Sequence, residues 1–504
     1  MKKKWVLWAI LIAAGLASAV TKPNVILIMA DDLGSGMLSC YGQKIVKTPN
    51  IDRLAAEGMR FNNYYGSTYC APSRWTLSTG MHDGRIGGWG SNKAGLPILR
   101  DSGKITEEEY QKRFAQMKKD AFPIAENEVF LGQIGQKAGY KTAQFGKLDN
   151  GFLTWHERVK RYGWDDYDGF YDHQRCHGYY PPYLWHNGER YELPGNTDPA
   201  CGKYLEVDDL PAGSGGETHS QILMIGKVLE YIREHKDTPF FLYHPTQLPH
   251  GEIGIPEVHP DFVNDKRLTY EEKKYASMVK MLDDHVGLIM TELKELGMDE
   301  NTIVFFTADN GHCAYYSDVY TGFKNQKLDD GTTFDLGDNK WRSHGDVFNG
   351  GGGLAGAKRS GFQGGILCPM FVRWPGKIKP GTETDLLSTH YDFMATLADL
   401  GGVSVPNGKD SISYLPTLLG EPQKQKHDFI VIQNKRFYMG SSTVIDSKGW
   451  KLIEVGGKAR DQYQLYNILD DKMETKELSS EYPEKVEALK KTLYREVGSE
   501  RPDL

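Results

Sequence analysis

Four oxygen-bearing side chains define the chemistry open to this sequence. Asp31 and Asp32 close the run NVILIMADD, and Asp309 and Asn310 lie at the end of TIVFFTADNGH. All four are hard donors, with no thiolate or paired imidazole among them, so a cation held there would be Ca2+, or Mg2+, rather than zinc. Three carboxylates gathered without a cation would repel one another and be partly protonated, so convergence of the four all but requires a metal. Arg74, Lys147 and Lys358 are available to face them, a set suited to the outer oxygens of a tetrahedral oxyanion. A cation and several basic groups around one anion describe sulfuryl or phosphoryl transfer, in which positioning and charge stabilisation carry most of the catalysis. The nucleophile is the missing part. Cys70, in YCAPSRWTLSTG, does not supply it as it stands: a thiol is a poor nucleophile at a sulfate ester and an odd ligand for a hard cation.

These residues need a scaffold that brings them together. Short runs rich in Val, Ile and Phe alternate with helical patterns, which predicts an α/β fold: a large, mostly parallel sheet flanked by helices. NVILIMADD, KTAQFGK, PFFLYHPTQLPH and TIVFFTADNGH end at Asp31 and Asp32, Lys147, His250, and Asp309 to His312. Ligands of open α/β sheets bind beyond the carboxyl ends of the strands. An Asp or Asn after one strand often only caps the next helix, but four such endings point to one shared site. Helices are expected at Asn50 to Phe61 and Tyr275 to Gly297, each near a glycine stop. Within the second, Asp283, Asp284 and His285 read as straddling its polar and buried faces rather than as a metal cluster. Two stretches, Gly163 to Asn196 and Gly337 to Gly361, are rich in aromatics, His and Gly and read as inserted loops. His173, His177 and His186 in the first lack regular ligand spacing, so they read as sugar contacts or surface groups. From about residue 427 the pattern alternates as in an antiparallel sheet and closes with an amphipathic helix, PEKVEALKKTLYREVG, giving a smaller C-terminal domain.

Three lysines, an apolar run from Trp5 to Leu16 and the small residues Ala17-Ser18-Ala19 form a secretory leader. Its apolar run falls short of the roughly 20 residues a membrane span needs, which disfavours an uncleaved anchor. The expected organisation is a signal peptide over 1–19, a catalytic domain over 20–425 and a C-terminal subdomain over 426–504, in a periplasmic or secreted protein without a stable membrane span. The formal net charge of −7 becomes more negative once the leader's lysines are removed, which argues against nucleic acid as a partner. Six cysteines are spread thinly over a chain of 504 residues, and Cys176 with Cys201 is one candidate bridge.

The string Cys70-x-Pro72-Ser73-Arg74-x-x-Leu77-x-Thr79-Gly80 resembles the signature of the type I sulfatases, members of the alkaline-phosphatase-like superfamily. NVILIMADDLGSGMLSCYG, TPNIDRLAAEGMRFNNYY, TADNGH and DQYQLYNILDDKMETKELS resemble further blocks of that family, so the similarity covers most of the chain from Asn24 onward. In the family a maturation enzyme oxidises the cysteine to Cα-formylglycine. Its hydrate binds calcium through one hydroxyl, which attacks sulfur, and the other expels sulfate as the aldehyde re-forms. The resemblance implies one calcium held by Asp31, Asp32, Cys70 as formylglycine, Asp309 and Asn310. It implies that Arg74 steadies the formylglycine, that Lys147 and Lys358 bind sulfate oxygens, and that His250 protonates the leaving group. An unperturbed histidine pKa near 6.5 makes that role plausible at neutral pH.

Two departures from the family pattern stand out. The usual Gly-Lys-x-His reads Gly146-Lys147-Leu148-Asp149 here, and Gln363 and Leu367 stand where Glu and Arg are common. The absent histidine normally contacts the formylglycine and takes its proton. Asp149, His312 or a loop histidine is left to do so. The competing readings are a phosphoester or phosphonate monoester hydrolase of the same superfamily, and a non-catalytic glycan-binding relative. Cys at position 70 and an oxygen-rich metal set disfavour the first, and the intact Cys70, Arg74, Lys147, His250 and Lys358 disfavour the second. Trp155, Trp164, Tyr179, Tyr180 and Trp185 would suit stacking on sugar rings, which favours a sulfated glycan as substrate.

Overall fold

The strand Asn24–Ala30 is buried at all seven positions, as a parallel strand covered on both faces must be. In the computed structural model it pairs in parallel with Thr302–Ala308 on one side and Phe240–Pro245 on the other. The structure describes residues 22–86, 94–121, 124–148, 153–202, 215–251, 253–316, 346–433, 442–455 and 462–497. The leader expected over 1–19 lies outside them. Among the described residues no helix is long and apolar enough to cross a membrane.

The main sheet has ten strands. In spatial order they are Thr382–Thr384, Met59–Phe61, Met370–Arg373, Thr302–Ala308, Asn24–Ala30, Phe240–Pro245, Lys141–Gly146, Asp166–Gly169, Tyr183–His186 and Glu189–Glu192. The five strands from Thr302–Ala308 to Asp166–Gly169 are mutually parallel, and antiparallel pairings enter only towards the edges. Alternate residues of the central strand divide between two cores. Ile26 and Ile28 face the helices Ser220–Glu234 and Tyr270–Glu295, and Val25, Leu27 and Met29 face Asp392–Gly401. Asp283 accepts backbone N–H bonds from Asn50 and Ile51, each at 2.9 Å, so it caps the helix Pro49–Ala56.

Three expectations need correction. The helix expected to reach Phe61 ends at Ala56, and Met59–Phe61 is a strand of the main sheet. The stretch from Gly163 to Asn196 is not simply an inserted loop: Asp166–Gly169 joins the main sheet, and a hairpin turning at Asn187-Gly188 adds two more strands at that edge. Cys176 and Cys201 form no disulfide: the Cys176 thiol lies 3.0 Å from the His173 carbonyl and the Cys201 thiol 3.8 Å from that of Pro199. Of the other stretch read as a loop, residues 337–345 lie outside the described residues.

The second sheet runs Phe429–Ile432, Ser442–Asp446, Trp450–Val455, Gln462–Asn467 in space, antiparallel throughout. Its two-residue period sorts side chains between two partners. Val431, Val444, Leu452 and Leu465 pack on Leu489 and Leu493 of the closing helix Pro483–Val497. Ile430, Ile432, Ile445 and Ile453 pack on Phe362 and Ile366 of the larger unit. Beside this apolar seam, fully buried Lys451 and Glu474 pair at 2.6 Å, and the other Glu474 oxygen accepts the Gln363 N–H at 2.8 Å. Removing one member of such a pair strands a buried charge. Glu474→Ala should therefore lower unfolding stability by about 3–5 kcal/mol in a urea titration, whereas replacing Lys451 and Glu474 together by methionine should restore most of it. A single variant within about 1 kcal/mol of wild type would show that the pair contributes little.

Candidate active site

Register assembles the site. Ala30 is aligned with Ala308 in the paired central strands, so Asp31 and Asp32 leave the sheet beside Asp309 and Asn310. The Asp309 N–H donates to the Ala30 carbonyl at 3.0 Å and the Asp31 N–H to that of Leu248 at 2.9 Å. Asp32 then takes up a left-handed backbone conformation, with φ of 62°, and its N–H meets Asp309 Oδ1 at 3.0 Å. That conformation is uncommon away from glycine and is tolerated best by Asp and Asn. It directs the carboxylates of Asp31 and Asp32 to different partners.

Lys147 follows the strand Lys141–Gly146, and its N–H is fixed by the Pro245 carbonyl at 2.8 Å. The approach depends on Gly146, where φ is +131° and a Cβ would lie 2.3 Å from that carbonyl. Lys147 Nζ sits 2.6 Å from Asp31 Oδ2, and Lys358 Nζ 2.6 Å from Asp32 Oδ2. Arg74 Nη2 lies 2.8 Å from Asp309 Oδ2 and 3.6 Å from Asp31 Oδ1. Burial alone would push Lys147 and Lys358 down, but the adjacent Asp31 and Asp32 respectively hold both well above the ordinary lysine range.

Cys70 is the first residue of the helix Cys70–Thr79, and Arg74, one turn later, shares its face. Ser73 Oγ ties down the entry to this helix: it donates to the Tyr69 carbonyl and accepts the Ser67 N–H, each at 2.9 Å. The helix stops at Gly80, where φ is +66°. Potential ligand atoms of Cys70, Asp31 and Asp309 all lie within 4.8 Å of one another. Burial raises the Cys70 pKa, against the pull of Lys147 and Lys358, so the group stays a protonated thiol at neutral pH. Burial likewise lifts Asp31 to about 6, with Lys147 opposing and Asp309 adding to the rise. Asp31 Oδ1 and Asn310 Oδ1 are buried acceptors without a hydrogen-bond partner among the described residues. Unsatisfied buried oxygens among three carboxylates are what a hard cation would occupy, so the residues present fit Ca2+ or Mg2+.

His250 Nε2 lies 3.3 Å from Asp32 Oδ2 and 3.2 Å from Lys358 Nζ. Its Nδ1 faces the Gly251 carbonyl, leaving Nε2 for the site. Of the residues singled out from sequence, Asp31, Asp32, Cys70, Arg74, Lys147, His250, Asp309, Asn310 and Lys358 are thus brought together. His312 is not: its imidazole bonds the Tyr316 hydroxyl at 3.0 Å, burial depresses its pKa, and only its carbonyl supports the site, by accepting the Lys358 N–H at 3.0 Å. Asp149 lies outside the described residues.

Two members of the cluster escaped the sequence reading. Tyr315 OH lies 2.9 Å from His250 Nε2, accepts from Lys358 Nζ at 3.0 Å and donates to Asp32. Its position three residues beyond His312 in TADNGHCAYY was the available signal. His177, read as a sugar contact or surface group, is half-buried: its Nε2 lies 3.2 Å from Lys147 Nζ and its ring stacks on His250 with centroids 4.2 Å apart. Ligand atoms of Cys70, His173 and His177 also fall within 4.8 Å of one another. His186 instead lies at the sheet edge beside Asp168, at 3.4 Å.

The aromatics considered for sugar stacking separate in the same way. Tyr179 and Tyr180 are buried in the core, whereas Trp155 and Trp185 are half-buried and line a cavity.

Comparison with known proteins matches residues 23–403 to the Sulfatase family model and residues 356–501 to the family described as N-sulphoglucosamine sulphohydrolase, C-terminal. An N-acetylgalactosamine-6-O-sulfatase of Bacteroides thetaiotaomicron is 29% identical, covering 94% of this chain and 92% of that protein. The N-acetylgalactosamine-6-sulfatase of Homo sapiens is 30% identical over 80% of this chain and 67% of its own. A solved structure from work on glycosaminoglycan metabolism by Bacteroides thetaiotaomicron superposes with a TM-score of 0.67 at 26% identity, covering 94% of this chain and 99% of that one.

Proposed function

We propose, from the premise that this chain belongs to the sulfatase family and hydrolyses sulfate esters, that its substrate is a sulfated glycan and its nucleophile is made from Cys70. The observation that carries this reading is the placement of a protonated Cys70 thiol against Asp31 and Asp309, a hard site in which a thiol as such has no use. Oxidation to formylglycine by a maturation enzyme would replace sulfur with an oxygen nucleophile suited to that site. The similarity to N-acetylgalactosamine-6-sulfatases supports a sulfated amino sugar of the glycosaminoglycan kind.

Asp31, Asp32, Asp309, Asn310 and the modified Cys70 would hold Ca2+, with Mg2+ the alternative, and the cation would supply positive charge against the sulfate group. Arg74 lies one helical turn from Cys70 and steadies it. Lys147 and Lys358 exchange part of their hold on Asp31 and Asp32 for sulfate oxygens, which offsets the charge of the transferring group. His250 Nε2 delivers a proton to the departing sugar oxygen, with Tyr315 and Lys358 fixing the ring. His177, rather than His312, takes the place of the histidine absent from position 149, because it alone of those two reaches Lys147 and His250. The larger unit, 20–425, would carry the chemistry and 426–504 would brace it, after export through a leader over 1–19 to the periplasm or beyond.

Mass spectrometry of the peptide containing Cys70, from cells with a maturation system, should show an aldehyde in place of the thiol. Full activity with only unmodified cysteine would overturn the proposal. Sulfate release from a panel of sulfated oligosaccharides tests the substrate class.

Two further outcomes follow from the geometry. Chelation should abolish turnover and calcium should restore it. Because Asp31 is lifted to about 6, a proton competes with the cation below that pH, and the apparent calcium affinity should fall by about tenfold per pH unit as acidity increases. Calcium titrations followed by thermal shift between about pH 5 and 7 check this, and a flat profile would remove Asp31 from the ligand set. His177→Ala should lower kcat by about 100-fold. Unchanged turnover would return its assigned task to Asp149 or another group.

A further inference from the structure

The short helical turn Arg175–His177, which carries His177 to Lys147, also turns Arg175 towards a separate cavity of about 290 Å3. None of the residues assigned above to catalysis or the cation lines it. Its size is at the low end of small-ligand sites, which begin at roughly 300 Å3, and so suits a single sugar ring better than an oligosaccharide. Trp155 and Trp185 form half-buried aromatic walls, and Trp185 is held flat against Tyr171, with centroids 4.9 Å apart and planes at 11°. A rigid ring of that kind is a platform for the apolar face of a pyranose.

The charges around the cavity select among sugars. Arg100, Lys118, Arg175 and Arg190 line it, against Glu157 and Asp172; Arg100 and Arg175 share Asp101, Arg190 pairs with Glu192 at 2.5 Å and Lys118 lies 3.9 Å from Glu157. The Asp172 carboxylate is already engaged by the N–H groups of Gly95, Gln174 and Arg175, at 2.7, 2.9 and 3.1 Å. Arg175 and Arg190 stack on the Tyr183 ring, 4.3 and 3.8 Å from its centroid, and Arg100 donates to the Tyr183 hydroxyl at 3.0 Å. Arg175 is only 3% exposed. Its Nη2 donates to Asp101, yet Nε and Nη1 have no acceptor among the described residues. Buried donors of a charged group without acceptors call for an anion. Since Asp101, Glu192 and Glu157 already answer these cations, the capacity of the cavity for an anion lies at Arg175 Nε and Nη1.

We propose that this cavity is a second carbohydrate site that binds an anionic pyranose, a hexuronate or a sulfated hexose, through Arg175 and the Trp185 platform. The inference rests on the sulfated-glycan reading and extends it: the enzyme grips a charged sugar at a place distinct from the one it desulfates.

Calorimetric titration of glucuronate, galactose 6-sulfate and galactose into wild type and into Lys358→Ala, which disables the catalytic site, tests this. Both anionic sugars should bind Lys358→Ala, and galactose should not. Tighter glucuronate binding identifies a uronate subsite, and tighter galactose 6-sulfate binding a second sulfate subsite. Arg175→Gln and Trp185→Ala should each weaken binding by about tenfold or more, as expected for loss of one charge-assisted contact or one stacking surface. Should Arg175→Gln fail to fold, Arg190→Gln, on the exposed hairpin, serves with Trp185→Ala. Wild-type affinity in the folded cavity variants, or anionic sugars binding no better than galactose, overturns the proposal. Because the readout is binding, that failure is distinguishable from failure of the substrate reading, which would appear as no sulfate release from any sulfated glycan.

Discussion

Cys70→Ser and Cys70→Ala are each expected to lose sulfate release by about 10⁴-fold or more, the scale on which enzymes lose activity when the nucleophile goes. Alanine cannot be converted to an aldehyde and serine only by oxidation of its hydroxyl, which mass spectrometry of the peptide detects, and neither variant disturbs the four oxygen-donor side chains of Asp31, Asp32, Asp309 and Asn310. The two effects should therefore separate. Calcium should still raise the melting temperature of both variants while turnover is gone. The serine variant, once its peptide is shown to carry an unmodified hydroxyl, is the sharper test, because it restores an oxygen at the right place without the aldehyde chemistry. If Cys70→Ser kept a tenth or more of wild-type kcat with a sugar sulfate, a simple hydroxyl would suffice and the modification would be unnecessary.

The second large effect is expected at His250. His250→Ala should lower kcat by about 10²–10⁴-fold on a sugar sulfate, the usual contribution of a positioned general acid. The loss should be much smaller on an aryl sulfate with an acidic phenol, whose oxygen leaves without protonation. That contrast distinguishes an acid from a structural residue: removing the imidazole for packing reasons alone would slow both substrates equally. His250 is well placed to separate these cases, since its Nδ1 is taken up by the Gly251 carbonyl and only Nε2 faces Asp32, Lys358 and Tyr315. Equal losses on both substrates would remove it as the leaving-group acid.

Much of the site was legible because its residues sit where strands end. A run such as NVILIMADD or TIVFFTADN announces both a buried strand and the polar residues leaving it, and parallel pairing fixes which ends meet. The motif around Cys70 was legible for another reason: it resembles a family signature, in which Ser73 and Gly80 have local tasks in one short helix while Arg74 reaches across to Asp309. What depends on distant packing was not. His177 carried no spacing signal, since its partners Lys147 and His250 lie 30 and 73 positions away in a sequence that gives no register between them. The edge hairpin was a different kind of miss. Asn187-Gly188, with φ of 48° and 98°, is a two-residue turn of the sort that Asn-Gly marks, but the aromatic richness of the stretch concealed it. His186 faces Glu189 across that turn, as strand residues rather than loop contacts. Asp149, outside the described residues, leaves the departure at Gly146-Lys147-Leu148-Asp149 to be read through His177.

The alignment of Ala30 with Ala308 has a consequence for biogenesis. Asp32 and Asp309 are 277 positions apart, and each would supply part of the proposed cation site. Until the later strand has been synthesised and has docked, only half of the site exists, and two isolated carboxylates have little affinity for calcium. Cation capture at the proposed site would therefore report completion of the sheet. A nascent or truncated chain lacking the second strand would gain nothing from calcium, whereas the finished chain would be locked by it, and the ion would double as a late fastener that protects only fully assembled molecules from proteolysis.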